Sequence, residues 1–284
     1  MAPMTAAAAK ILGWTSSLIN TDGSPAQIQG AYDTAIRQGA NAIVTNSASR
    51  AELGAQIPQL LAKHIAVSQS SSTDVQTAPF IYNTSSAQEN APIGKDLAAE
   101  IVADSNGKAN VLWVGLPFPI LGPLSATFKS DLQKYCPTCG YSAINIGLTQ
   151  IPQSSNTIVA YLRSHPSVNY VALSVGDSLD NGLPNALAAA GLSNVKIVSQ
   201  GGSPTEFQDI AQGKWLAAVP FDDYDAAYQM VDALARHSAG KPVQNSSLPI
   251  WLVTKNNLPS NYSSPFPNVV NYNSEFAKLW GKTA

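Results

Sequence analysis

This sequence predicts an α/β fold with parallel sheets, divided between two lobes. Helical and strand-like segments alternate from Trp14 onward, and strands joined by helices of this length form parallel sheets with right-handed crossovers. The strand segments are short apolar runs, as expected when both faces of a sheet are covered. The polar segment SQSSSTDVQTAPFIYNTSSAQEN, residues 68–90, then interrupts the cycle. Two smaller sheets therefore fit better than one, with the first passage between lobes near Asn83 to Gln88. A chain of 284 residues with 45% apolar content can fill two such cores.

The elements follow in order. WTSSLIN, from Trp14, reads as a strand, and SPAQIQGAYDTAIRQG as a helix with Ser24 as N-cap, Pro25 in the first turn and Gly39 as C-cap. NAIVTN is a strand, RAELGAQIPQLLAKH a helix, IAVSQ and PFIYN strands, and AQENAPIGKDLAAEIVADS a helix ending near Gly107. ANVLWVGLP, YSAINIGL, YVALSVG and VKIVSQ are strands, separated by the helices LSATFKSDLQKY, SNTIVAYLRSHP and DNGLPNALAAAG. A short helical piece, PTEFQDIAQG, precedes the strand LAAVPF and the long helix YDAAYQMVDALARHSAG. The late strand PIWLVTKN and the helix NSEFAKLWG complete the pattern.

In an open α/β sheet, ligands sit outside the carboxyl ends of the strands. Here those ends carry neutral hydrogen-bonding side chains and a few aromatics: Asn46, Ser68 and Gln69, Phe118, Asp177, Gln200, and Phe221 with Asp222. That is the chemistry of a site for a small, largely uncharged organic molecule. Asp177 has a second reading, as a cap for a helix beginning at Asp180, and the carboxylates of FDDYD (Asp222, Asp223, Asp225) favour the amino end of the helix that follows. There is no P-loop, GxGxxG, GxSxG or HExxH motif. His64, His165 and His237 stand beside no nucleophile and have no metal spacing. The expectation is a binding protein without enzymatic activity, metal or cofactor.

The two cysteines form one motif, CPTCG, Cys136 to Gly140. A redox dithiol, half a zinc site and a structural disulfide compete for it. A thioredoxin-like motif opens a helix after a strand, whereas this one sits in a helix-to-strand turn. That context favours a structural disulfide and an oxidising compartment. Charged residues make up only 12% and the net charge is −2, which offers no field for nucleic acid. No apolar run approaches membrane-spanning length, and the start MAPMTAAAAKILGW lacks a basic n-region.

The order DGSPAQIQGAYDTAIRQGANAIVTN, LLAKHIAVSQS, GKANVLWVGLP, VGDSLDNGLPNALAAAGL, GKWLAAVPFDDYDAAYQMVDALARHSAGKPV, IWLVTKNNL and NYNSEFAKLWG resembles the type I periplasmic-binding-protein family. These are sugar-type solute-binding proteins of ABC importers, whose fold is shared by LacI-type effector domains. The resemblance covers nearly the whole chain from about Ala6. It implies two Rossmann-like lobes joined by a three-crossing hinge: residues 1–84 with 222–254, and residues 85–221 with 255–284. The crossings would fall near Asn83 to Gln88, Val219 to Asp222 and Thr254 to Asn257. It implies a periplasmic or extracellular monomer, able to associate with a membrane, that closes over a small-molecule solute and delivers it to an ABC permease. The alternative is the ligand-sensing effector domain of a LacI-type regulator.

Asn46 matches a family ligand contact. Two departures stand out. The family's first strand–helix unit has no counterpart, so the amino-terminal sheet is expected to be incomplete. A charged pair, usual where Ser68 and Gln69 stand, and an arginine, usual where FPILG stands, are both missing. The second departure points to a less polar or aromatic ligand rather than a simple sugar.

Overall fold

The computed structural model describes residues 1–262 and 271–283. They form two compact units, the first built from Met1–Ser86, Asp222–Leu248 and the carboxy-terminal helix, the second from Ala87–Phe221 and the segment that follows Pro249.

The chain opens with helix α1 (Ala2–Ile11). Helix α2 (Pro25–Arg37) follows, with Ser24 in extended geometry at its N-cap and Pro25 at its first position, where the missing N–H costs no helical bond. Strand β1 (Ala42–Asn46), helix α3 (Ile57–Ala62) and strands β2 (Ala66–Ser70) and β3 (Phe80–Thr84) complete the first segment. Helix α3 is shorter than the expected RAELGAQIPQLLAKH helix. Residues 50–56 form successive turns, for which Gly54 and Pro58 give the local reason, since both oppose a helix interior. The three strands are parallel in the order β1-β2-β3, with Thr45, Gln69 and Asn83 side by side.

The expected strand at Trp14–Asn20 does not form, and every residue from 14 to 20 is exposed. A strand exists only through its ladder partner, and among the described residues none pairs with this segment. Among the described residues the first sheet has three strands, and Leu18 is 66% exposed.

The second unit begins with helix α4 (Ala87–Ser105), strand β4 (Asn110–Gly115), helix α5 (Gly122–Tyr135) and strand β5 (Gly140–Asn145). Helices α4 and α5 pack closely because Gly94 lies against the Leu124 carbonyl, where a Cβ would come within 2.3 Å of the oxygen. Between α5 and β5, Cys136 and Cys139 are joined by a disulfide. Then come helix α6 (Ser154–Ser164), strand β6 (Tyr170–Leu173), helix α7 (Gly176–Leu179) and helix α8 (Leu183–Ala189). The expected helix from Asp180 begins only at Leu183, after Gly182 at φ 74°, and α7 is an additional turn of helix where the end of a strand was expected. Strand β7 (Lys196–Gln200), helix α9 (Pro204–Ala211) and strand β8 (Ala217–Val219) follow.

Helix α10 (Asp223–Ser238) returns to the first unit, and strand β9 (Val253–Thr254) to the second. The second sheet has the order β5-β4-β6-β7-β8-β9 and is parallel except for β9, which pairs antiparallel with β8. Both its faces are covered. Leu112, Val114, Ile158, Leu187 and Phe207 build one core, and Trp113, Leu97, Ile101 and Phe128 the other.

Helix α11 (Tyr272–Leu279) lies in the first unit. There α1, α10 and α11 share a cluster of Ala8, Tyr228, Val231 and Tyr272. The carboxy-terminal division thus differs from the expected one. The passage expected at Thr254–Asn257 falls at Leu248–Pro249, because Val253 and Thr254 pair with β8, and α11 joins the first unit rather than the second.

Candidate functional site

In the first unit, the carboxyl ends of β1, β2 and β3 bring together Asn46, Ser68, Gln69 and Ser70. Side chains alternate across a strand. Val67 and Gln69 face the side where Tyr32, Ile36, Leu53 and Leu60 pack, while Tyr82 of β3 packs with Met230 and Ala233 of α10. Asn46 is exposed, and its Oδ1 accepts a hydrogen bond from the Ser70 hydroxyl at 2.8 Å. Ser47, just beyond the strand, takes φ 59°, a left-handed turn that ends the strand at Asn46.

Gln69 is fully buried, and neither its amide nitrogen nor its amide oxygen has a hydrogen-bond partner. The Ser68 and Thr84 hydroxyls, buried on the same two strands, are unpartnered as well. Its neighbour across the ladder is better served: Asn83 donates to the Ser72 carbonyl at 2.8 Å and accepts from the Ser72 amide at 3.3 Å. A buried polar group without a partner costs about 1–3 kcal/mol. Such groups are kept where a ligand atom or an ordered water completes them.

In the second unit, the end of β4 opens into a hollow of about 270 Å³ lined by Trp113, Leu116, Phe118, Asn145 and Ser174 among others. Two of its walls are tied together across the sheet, where the Ser174 hydroxyl accepts from the Leu116 amide at 3.1 Å. Gly115 leaves room there for the Asn145 side chain, whose Oδ1 would lie 2.5 Å from a Cβ at that position. Phe118 is 39% exposed, so an aromatic face remains available.

The ends of β6 and β7 place Asp177, Gln200 and Glu206 in one neighbourhood. Asp177 is exposed in the first turn of α7. It does not cap the helix at Leu183, whose N-cap is Gly182; there the Asp180 Oδ1 accepts from the Leu183 amide at 3.1 Å. Gln200 closes β7 and is nearly buried. Glu206, which the sequence reading passed over, is fully buried. Its Oε1 accepts from the Ser199 hydroxyl at 2.6 Å and its Oε2 from the Ser203 amide at 2.8 Å. Burial drives its carboxyl well above the usual range, with hydrogen bonding and charge from Asp177 pushing the same way. The signal for it was the Ser203-x-x-Glu206 spacing of a capping box, which α9 indeed carries.

Phe221 and Asp222 do not stand like the others. Phe221 is half-buried and its backbone bridges to Ile250. Asp222 is buried, its Oδ1 accepting from the amides of Tyr224 and Asp225 at 3.0 Å each, while the Tyr272 hydroxyl donates to Oδ2. Burial raises its carboxyl, against hydrogen bonds from Tyr272 and from those two amides. The expected ligand role for Asp222 thus gives way to the capping role that FDDYD also indicated. All of its acceptor contacts serve α10 and α11.

Among the described residues no group of His, Cys, Asp and Glu could hold a metal ion, and no helix is long and apolar enough to cross a membrane. No protein of curated function matches the chain in sequence. Among solved structures it is similar to an ABC sugar transporter subunit from Rhodobacter sphaeroides 2.4.1, 22% identical over 90% of this chain and 92% of that one, with a TM-score of 0.77. A 5-methylthioribose transporter solute-binding protein from Thermotoga lettingae, in complex with 5-methylthioribose, is 20% identical over 97% of this chain and 91% of that one, TM-score 0.80. A putative LacI transcriptional regulator from Bacteroides fragilis is 12% identical over 90% and 91%, TM-score 0.75. At these identities the likeness is one of fold. The sequence profile described as "Periplasmic binding protein domain" matches residues 1–242. The α/β units with parallel sheets and this match over most of the sequence lead to one assignment: the chain belongs to the periplasmic binding protein domain family.

Proposed function

We propose that this protein is an extracytoplasmic solute-binding protein of an ABC importer, which takes a small, uncharged, sugar-like solute with an apolar or aromatic part and delivers it to a membrane permease. The observation that carries this reading is Gln69, a fully buried amide at a strand's carboxyl end with both hydrogen-bonding atoms unmet. A solute hydroxyl, directly or through one water, is the group that completes such an amide. Asn46, Ser68, Asp177 and Gln200 are the further polar contacts of this reading, and Phe118 over the hollow of the second unit receives the apolar part. Phe221 adds a half-buried ring. Charged anchors are missing from Ser68 and Gln69, which fits a neutral solute.

The solutes bound by structurally similar proteins supply the first probes. One such protein is in complex with 5-methylthioribose, a sugar with a thioether, and another from Agrobacterium vitis holds allitol. Ligand binding would shift the population of open and closed arrangements by its differential affinity for the two. The regulator reading draws on the same likeness of fold and adds no observation of its own.

Thermal-shift titration with 5-methylthioribose, allitol, D-arabinose, D-galactose and small aromatic acids tests the proposal. A ligand at about a hundred times its Kd stabilises the native state by about 2.7 kcal/mol. Such a shift with one chemical class, reduced in Asn46→Ala, is the expected result. No shift with any of them would overturn it.

A further inference from the structure

We propose that Glu206 carries a proton that it shares with Asp177, and that this shared proton holds Asp177 in position at the ends of β6 and β7. Glu206 is thus a positioning residue behind a ligand contact. The inference rests on the reading of Asp177 as one of those contacts.

The geometry is built around two glycines. A Cβ on Gly176 would lie 1.8 Å from Glu206 Oε1, and a Cβ on Gly201 would lie 3.0 Å from both Glu206 oxygens and 3.3 Å from Asp177 Oδ1. Both carboxyl groups therefore converge on the backbone of Gly201, itself at φ 142°. The glycines leave the room that the Glu206 carboxyl fills.

The charges decide the proton. Glu206 is fully buried, and a buried charge must be paired or neutralised. The ion pairs of the described residues are Lys196–Asp104, Lys214–Asp209 and Arg236–Asp232, so no cation serves Glu206. The groups packed around it are the Ser199 hydroxyl from β7, the Ser203 amide from the turn into α9, and Asp177 from α7. Asp180 adds a further carboxyl beside Asp177, itself raised by burial, and Asp209 on α9 is paired with Lys214. Strand β8, which packs against α9, carries no titratable side chain. Two carboxyl groups that converge on one backbone position, one of them buried, cannot both ionise cheaply. Glu206 keeps its proton and donates it towards the Asp177 carboxylate, and the pair carries one negative charge.

The sign of the pH effect follows. The raised folded-state value makes the native state hold a proton that the unfolded chain has lost above about pH 4.3. Stability is complete below that value and falls as pH rises through the raised one. The test uses the full chain as wild type, Glu206→Gln, Glu206→Ala and Asp177→Asn. Thermal midpoints between pH 5 and 9 should fall with pH in wild type more steeply than in Glu206→Gln, whose amide keeps the hydrogen bond to Asp177 without a proton to lose. In Asp177→Asn the fall should move to lower pH. Amide hydrogen exchange across residues 175–180 should stay near wild type in Glu206→Gln and rise about tenfold or more in Glu206→Ala. Parallel midpoint profiles for wild type and Glu206→Gln would overturn the shared proton, and unchanged exchange in Glu206→Ala would overturn the positioning. Should Glu206→Ala fail to fold, exchange in Glu206→Gln at pH 5 and 9 replaces it: wild type loosens with pH, the glutamine variant does not. Binding of 5-methylthioribose is read separately. If wild type binds neither it nor another probe of the thermal screen, the functional reading fails, and the pH profile still decides the proton.

Discussion

The two units are built from the same strand–helix alternation and differ in the size of their sheets. The second has six strands with a packed core on each face. The first has three, and its edge strand β1 is only half-buried along most of its length. The polar ends differ in the same sense. In the second unit the buried polar groups of the β6–β7 end are bonded to one another, Glu206 to Ser199 and Ser203. In the first, Gln69, Ser68 and Thr84 are buried without partners. The polar groups at the β6–β7 end satisfy one another, whereas those of β2 and β3 leave hydrogen-bonding capacity for something else to satisfy.

That contrast can be broken first in the core. Phe128 of α5 is fully buried and stacks at a tilt on Trp113, with ring centroids 4.7 Å apart. Phe128→Ala should cost the second unit about 3–5 kcal/mol, measured by urea unfolding. Amide exchange of β1 to β3 should be unchanged, whereas a uniform rise across both units would mean that they unfold as one.

Removing the disulfide is the next largest change. It closes a turn with a sequence separation of only 3, so the loop-closure relation gives about 2 kcal/mol. Cys136→Ser with Cys139→Ser should lower stability by no more than that, with circular dichroism otherwise unaltered. A larger loss would show that the turn anchors β5 more than its size implies.

Gln69→Leu sharpens the contrast, because its two effects have opposite signs. Replacing an unpartnered buried amide by an apolar side chain of similar size should stabilise the empty protein by about 1–2 kcal/mol. Affinity for whichever sugar the thermal screen identifies should fall at least tenfold. Destabilisation of the empty protein would mean that Gln69 is bonded to structural water and not reserved for a ligand.

The smallest expected effect is at the surface. Leu18 is 66% exposed and in no regular element, so Leu18→Lys should change stability by less than about 0.5 kcal/mol. A larger loss would show that the segment Trp14–Asn20 packs in solution.

How much was readable in advance depends on how local the signal is. Ser24, Pro25 and Gly39 marked the bounds of α2 through capping and turn chemistry, which neighbours in sequence decide. The apolar runs NVLWVG and KIVSQ became β4 and β7 because both their faces are covered. Asn46 and Gln200 stand at strand ends where the reading put them. The segment WTSSLIN has strand composition yet forms no strand, because pairing is a property of two segments and composition describes only one. The role of Asp222 was split between cap and ligand contact until Tyr272, fifty residues away, took its second oxygen. Glu206 was invisible as a site residue, since only burial and Asp177 give its carboxyl a special character.

By itself, the sequence determined the α/β class, the order of nearly all elements and the polar, uncharged character of the strand ends. Periodicity, capping residues and side-chain chemistry are written in local order, and they act over a few residues. The tertiary structure decided which strands pair, that α11 joins α1 and α10, and which polar groups are left unmet, as at Gln69, or share a proton, as proposed for Glu206 and Asp177. Those outcomes depend on burial and on contacts between segments distant in the chain, and a local pattern carries neither.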